Sequence, residues 1–279
     1  MVKVNVDSDN NSLPCSIYLD GYLKKNLDYL NKAVHQNWDF VGIVTGREGA
    51  GKTTLALQTA LYLNYGFCID KVVFNEQQFI EATESLPHGS SIVWDESDAA
   101  SDHWASKIVR SVIKRLKRCR KNNYKIFLVT PTFFDFGKYF ALHRASFLID
   151  VYADGLERGN FRFFGVDKMR ALYILGKKMW NMRAVKPDFV GRFTNFPKDF
   201  PIDTSDGGEY DVKKDEAMKQ SEKDEITPAK AITELRIKVL PKLVALAESK
   251  GFKLTQKEIA DIFGVDRTTI SKNLRECEA

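Results

Sequence analysis

The residues from Gly46 to Thr53 carry the most specific chemistry in the sequence. Gly46 is followed by Arg47, Glu48, Gly49 and Ala50, and then by Gly51, Lys52 and Thr53. An apolar run, Phe40 to Thr45, precedes this stretch and a helix-forming run begins with Thr53, so the glycines fall between a strand and a helix, where a phosphate-cradling loop belongs. The spacing has a physical reason. Backbone amides of a tight turn point at a phosphate, and the following helix N-terminus adds a favourable dipole. Glycine is required where a side chain would block that approach. On this reading residues 46–54 hold the phosphates of a nucleoside triphosphate, Lys52 reaches the β- and γ-phosphates, and the Thr53 hydroxyl ligates Mg2+.

A second landmark follows about forty residues later, the run SIVWDE from Ser91 to Glu96, an apolar strand that ends in two acids. In a parallel sheet the active site lies at the carboxyl ends of the strands, which sets both acids beside the glycine-rich loop. Asp95 is then the expected Mg2+ ligand and Glu96 the base that polarises the attacking water. A further strand, 124–130, ends in Thr130, a candidate to sense the terminal phosphate or the water, with Thr132 as the fallback. Arg144, before the strand 147–151, is the candidate to reach a neighbouring subunit's γ-phosphate; Arg110, Arg115 and Arg118 compete for that role.

Two stretches speak to partners. Residues 107–125 hold nine basic residues and no acidic one, with Ile108, Val109, Val112, Ile113, Leu116 and Cys119 at helical spacing. They read as one amphipathic helix with a basic face, suited to phosphate tracking, to facing another subunit, or to simple solvation. Residues 254–276 read as a short helix over 258–263, a sharp turn at Gly264, and a second helix from Asp266. Ala260 is small where the helices cross, and Ile259, Val265, Ile270 and Leu274 fill the space between them. That is a helix-turn-helix pattern whose second helix presents Arg267, Thr268, Thr269, Ser271 and Lys272 to the DNA major groove.

The elements that must position these residues are legible in outline. A helix over 18–37 precedes the first core strand, and a helix over 53–64 closes near Gly66. Residues 71–74 read as a strand, 76–86 as a weak helix, and 161–165 with 170–175 as a hairpin extending the sheet. The tract 182–201 reads as an irregular arm. The predicted fold class is therefore α/β, a mainly parallel sheet flanked by helices, plus a small all-α module. The expected domains are 1–202, a flexible polar linker over 203–227, and 228–279, where Ile232, Leu235, Val239, Leu243 and Leu246 mark a first helix.

Composition narrows the class. With 42 Lys and Arg against 37 Asp and Glu, the net charge of +5 does not by itself announce a nucleic-acid binder. The four cysteines, Cys15, Cys68, Cys119 and Cys277, have no CxxC spacing and read as reduced thiols of an intracellular protein. No apolar run is long enough to span a bilayer, so a cytoplasmic location is expected.

The motifs at Gly46, Gly51, Lys52 and Thr53, at Asp95 and Glu96, and at Thr130 resemble those of the additional-strand P-loop ATPases, the class of RecA-like motors, FtsK and HerA translocases and AAA+ loaders. The order WDESDA, basic helix, FLVTPT and LHRASFLIDV looks most like the Zot-like and FtsK/HerA-like ATPases of viruses, plasmids and conjugative elements. Two features depart from it: Zot-like phage proteins usually carry a membrane segment, and the C-terminal module is instead similar to helix-turn-helix domains of regulators and replication proteins. The resemblance implies a P-loop NTPase fold, ATP and Mg2+ as ligands, and a homo-oligomer, such as a hexameric ring, that acts on DNA in host cytoplasm if viral. It implies a DNA translocation, packaging or replication motor; an ATP-switched regulator, replication initiator or helicase loader is the alternative.

Overall fold

The computed structural model describes residues 2–4, 15–95, 122–224, 228–252 and 254–271. The chain divides into two compact units, Met1–Met218 and Lys219–Ala279.

The first unit is built on a seven-stranded sheet. Its strands are β3 (Phe40–Gly46), β4 (Val72–Val73), β5 (Ser91–Asp95), β6 (Lys125–Thr130), β7 (Phe147–Asp154), β8 (Glu157–Gly165) and β9 (Phe189–Arg192). They run in the order β4-β5-β6-β3-β7-β8-β9, the first five parallel and the last two antiparallel. A separate antiparallel pair joins β1 (Val2–Val4) to β2 (Ile17–Leu19).

The sheet is covered on both faces, and the strands alternate accordingly. Phe40 and Val44 of β3 and Phe127 and Val129 of β6 face one core, with the apolar residues of α1 (Gly21–His35) and α2 (Lys52–Leu63). Val41, Ile43, Ile126 and Leu128 face the other, with Phe79 of α3 (Glu76–Ser85), Phe140 of α4 (Lys138–His143) and Met169 and Leu172 of α5 (Val166–Gly176). Burial on both faces is why β3 and β6 read as continuous apolar runs, as parallel strands in an α/β layer structure do. The caps agree with the chemistry of the turns: Asp20 accepts from the Tyr22 and Leu23 amides ahead of α1, and Asn75 accepts from Gln78 N ahead of α3.

Four expectations differ from what is observed. Residues 170–175 belong to the helix α5 and not to a strand, because Met169, Leu172, Tyr173 and Gly176 recur at helical spacing and bury against the aromatic cluster that includes Phe133. The hairpin partner of β8 is β7. Lys125 belongs to no basic helix face: it opens β6, and its buried amine donates to Leu63 O at 2.6 Å. The rest of that stretch, residues 107–121, lies outside the described residues. The segment expected to be a linker contains α6 (Glu209–Asp224), in which Tyr210 and Ala217 are buried, Tyr210 stacks edge-on against Phe74, and Lys213 Nζ donates to Ile69 O at 2.8 Å. Tyr210 and Ala217 anchor a helix that is otherwise mostly polar.

The second unit comprises α7 (Pro228–Ser249), α8 (Gln256–Phe263) and a helical segment at 267–271. Its core joins Leu240, Ile259, Ala260 and Ile270. The fourth difference lies here, since Leu235, Val239 and Leu246 are exposed, and among the described side chains of α7 Leu240 is the buried one. α8 begins with a capping box, Thr255 and Glu258 bonding each other's backbone amides, and ends at Gly264 in the left-handed region. The amide of Val265 returns to Ala260 O, and the Asp266 carboxylate accepts from the Thr268 amide, which starts the next helical turn. No helix among the described residues is long and apolar enough to cross a membrane.

Candidate functional site

Register brings the polar ends of four parallel strands to one edge of the sheet. Thr45 of β3 lies beside Thr130 of β6 on one side and Asp150 of β7 on the other, and Asp95 of β5 lies beside Val129. The chain leaves β3 at Gly46 through residues 47–51 and enters α2 at Lys52. Two glycines make that turn possible. Gly46 has φ +146°, and a Cβ there would stand 2.1 Å from the Val151 carbonyl oxygen. Gly51, at φ +98°, begins α2 with no hydrogen bond from a capping side chain. Arg47, Glu48 and Gly49 are exposed and Ala50 is buried.

Lys52 folds back across the loop, its amine donating to Arg47 O at 3.1 Å. The Thr53 hydroxyl donates to Asp95 Oδ2 at 2.6 Å, bridging α2 and β5. The Tyr210 hydroxyl of α6 donates to the same carboxylate oxygen. Asp95 is thus a buried acid with two hydroxyl donors. Burial pushes its pKa up, while the bonds from Thr53 and Tyr210 and the nearby charges of Lys214 and Lys52 pull it down. The Tyr210 phenol is pushed up first by its own burial and then by the Asp95 charge, so it stays a donor.

The buried Asp150 pairs with the half-buried Arg162 at 2.7 Å, with the guanidinium 4.1 Å from the Tyr152 ring centroid. Burial raises the Asp150 pKa, and Arg162 opposes that rise. Two clefts flank the loop. The larger, about 740 Å³, is lined by loop residues together with Thr132, Asp150, Arg158, Arg162 and Trp180. The smaller, about 580 Å³, is lined by Gly49, Gly51, Thr54, Arg158, Phe193 and Asn195. Gln58 of α2, fully buried, holds the wall of the smaller cleft by donating to Thr194 O and Asn195 O.

Most of the expected site is gathered here: residues 46–54, Lys52, Thr53 and Asp95 lie together. Thr130 is buried and its hydroxyl donates to Thr132 O at 3.3 Å, so Thr132, the fallback, is the one of the two that lines a cleft. Arg144 is not brought to this edge. It pairs with Asp39, the residue before β3, at the opposite end of the strand from the loop. Glu96 and Lys272 lie outside the described residues. In the second unit Arg267 and Thr268 are exposed, and Thr269 and Ser271 are half-buried.

Sequence reasoning missed Asp150, Arg162, Arg158 and Tyr210. The apolar run 147–151 with a single acid inside it was a signal for Asp150, because a charged residue in a buried strand needs a partner. Tyr210 had no comparable signal. Comparison with protein-family models and with curated proteins finds no match to this chain.

Proposed function

We propose that the chain binds and hydrolyses an ATP–Mg2+ complex as an additional-strand P-loop ATPase and couples that cycle to handling DNA. The observation that carries this reading is the 2.6 Å bond between the Thr53 hydroxyl and the Asp95 carboxylate, formed at the mouth of a glycine loop that leads into a helix without a side-chain cap. The strand order supports it as well: β6 stands between β3, which feeds the loop, and β5, which ends in Asp95, the extra strand for which that class is named.

The residues fit the ligand. A helix start without a side-chain cap, reached through positive-φ glycines, suits phosphate oxygens, and a buried carboxylate whose pKa burial raises is an electrostatic position that a cation relieves. Thr53 and Asp95 would hold Mg2+, which when bound offsets negative charge on the phosphate oxygens. Lys52, released from Arg47 O, binds and orients the terminal phosphates. Thr132 lines the cleft and offers a hydroxyl to the attacking water. Glu96 directly follows Asp95 and is assigned the role of base that takes the water's proton. The two helical segments joined at Gly264 support a helix-turn-helix reading of the second unit, with Arg267 and Thr268 on the exposed side for DNA.

The test is ATP turnover with and without long duplex DNA, beside Lys52→Ala, which should abolish the signal. Stimulation by DNA of any sequence supports a motor. Turnover that DNA leaves unchanged, with DNA bound, makes ATP a switch. No Lys52-dependent nucleotide binding overturns the reading.

A further inference from the structure

α6 enters the candidate site from a part of the sequence that carries no nucleotide-binding motif. Tyr210 is only 7 % exposed, its ring lies edge-on against Phe74 at 5.3 Å, and its hydroxyl reaches Asp95 Oδ2, the oxygen that also receives the Thr53 hydroxyl. The ring is fixed from both sides of the chain. The Tyr210 amide donates to Asp203 O at 3.1 Å, and one turn later Lys213 Nζ donates to Ile69 O. Two hydroxyls converging on one carboxylate oxygen restrict the rotation of the acid more than either does alone, and a buried acceptor held this way keeps its other oxygen on a fixed heading.

We propose that Tyr210 is a positioning residue for Asp95, so that residues 203–218 form a wall of the cation site and their docking and divalent-cation binding strengthen one another. The inference rests on the nucleotide-site reading above. Removing the hydroxyl while keeping the ring takes away a hydrogen bond to a charged group, which is worth roughly tenfold in an equilibrium constant. Linkage makes the effect reciprocal: a ligand that prefers the docked arrangement protects α6 from opening.

The experiment uses the full chain. Mg2+ is titrated at fixed ATP into the wild type, Tyr210→Phe and Lys213→Met, with bound nucleotide as the readout, and amide hydrogen exchange over 209–218 is measured with and without Mg2+ and ATP. Tyr210→Phe should need roughly tenfold more Mg2+ for half-saturation, bind ATP in EDTA as the wild type does, and lose the ligand-induced protection of α6. Lys213→Met, which loosens the helix away from the acid, separates positioning from docking: its hydroxyl at Tyr210 still reaches Asp95, so linkage raises its Mg2+ midpoint by clearly less than in Tyr210→Phe. An equal rise in both variants makes Tyr210 merely structural and overturns the proposal. So does a Tyr210→Phe midpoint that is unchanged or lower. Wild-type protein that binds no ATP at any Mg2+ concentration overturns the nucleotide-site reading itself, whereas wild-type binding with an indifferent Tyr210→Phe overturns this inference alone.

Discussion

Gly46→Ala tests the geometry of the loop most directly. Gly46 is the last residue of β3, in register with Val151 of β7, and its φ of +146° lies in a region that L side chains rarely adopt. Holding alanine there costs about 1–3 kcal/mol in backbone strain. The added Cβ would also meet Val151 O at 2.1 Å, against a backbone carbonyl that has no rotamer to yield, so β3 and β7 must part at this rung. Overpacking of that kind adds about 1–3 kcal/mol. The net expectation is a loss of about 2–6 kcal/mol, a large fraction of the stability of a domain. Gly49→Ala is the matched control. Its φ is also positive, at +70°, but the nearest atom to a new Cβ is the end of the Arg158 side chain at 3.9 Å. Only the left-handed penalty of about 1–2 kcal/mol applies there. Urea unfolding of both variants followed by circular dichroism measures the difference. Equal destabilisation of the two, or a Gly46→Ala protein within about 0.5 kcal/mol of wild type, would refute the steric account of the loop.

Two further outcomes follow from buried charges. Burial of the Lys125 amine lowers its pKa to about 8 from 10.5. The folded state therefore releases this proton before the unfolded state does, and stability rises as pH climbs from about 8 towards 10.5, by about 3 kcal/mol in all. Urea midpoints of the wild type at pH 7, 8.5 and 10 should show this rise, and Lys125→Met should flatten it. Arg144→Ala leaves Asp39, 8 % exposed, without its partner, and should cost roughly 2 kcal/mol of stability while leaving ATP affinity unchanged. Loss of turnover in Arg144→Ala without loss of stability, measured in the assembled protein, would reverse that assignment and return the arginine to a neighbour's site.

The glycine loop was legible because its signal is local. Spacing, the preceding apolar run and the following helix all lie within one short stretch, and Asp95 could be found as an acid that ends a buried strand. The partners of that acid could not. Thr53 and Asp95 meet only because β5 and β3 are separated by β6 alone, and a strand order is not written in any one strand. Tyr210 lies among polar residues whose single apolar turn is too weak to declare a helix, so the segment read as a linker. Residues 170–175 differ for another reason. Tyr173 and Ile174 favour strands by type, but the recurrence of Met169, Leu172, Tyr173 and Gly176 decides the outcome through burial. Lys125 was misassigned because a charge run looks uniform in sequence while its last member has entered a strand.

The bond between Tyr210 and Asp95 spans 115 positions of the chain, and that separation has a meaning during synthesis. At ribosomal rates of roughly 5–20 residues per second, the acid waits on the order of ten seconds for its second donor to be made. Throughout that interval a nascent chain already carries the glycine loop, Lys52, Thr53 and Asp95. β7 and β8, which complete the sheet beside the loop, also emerge during the wait. The candidate site is therefore a late product of biogenesis, although the loop at its centre is made early. A nascent chain halted between β9 and α6 would hold every expected ligand of the cation and still lack the wall that steadies the acid.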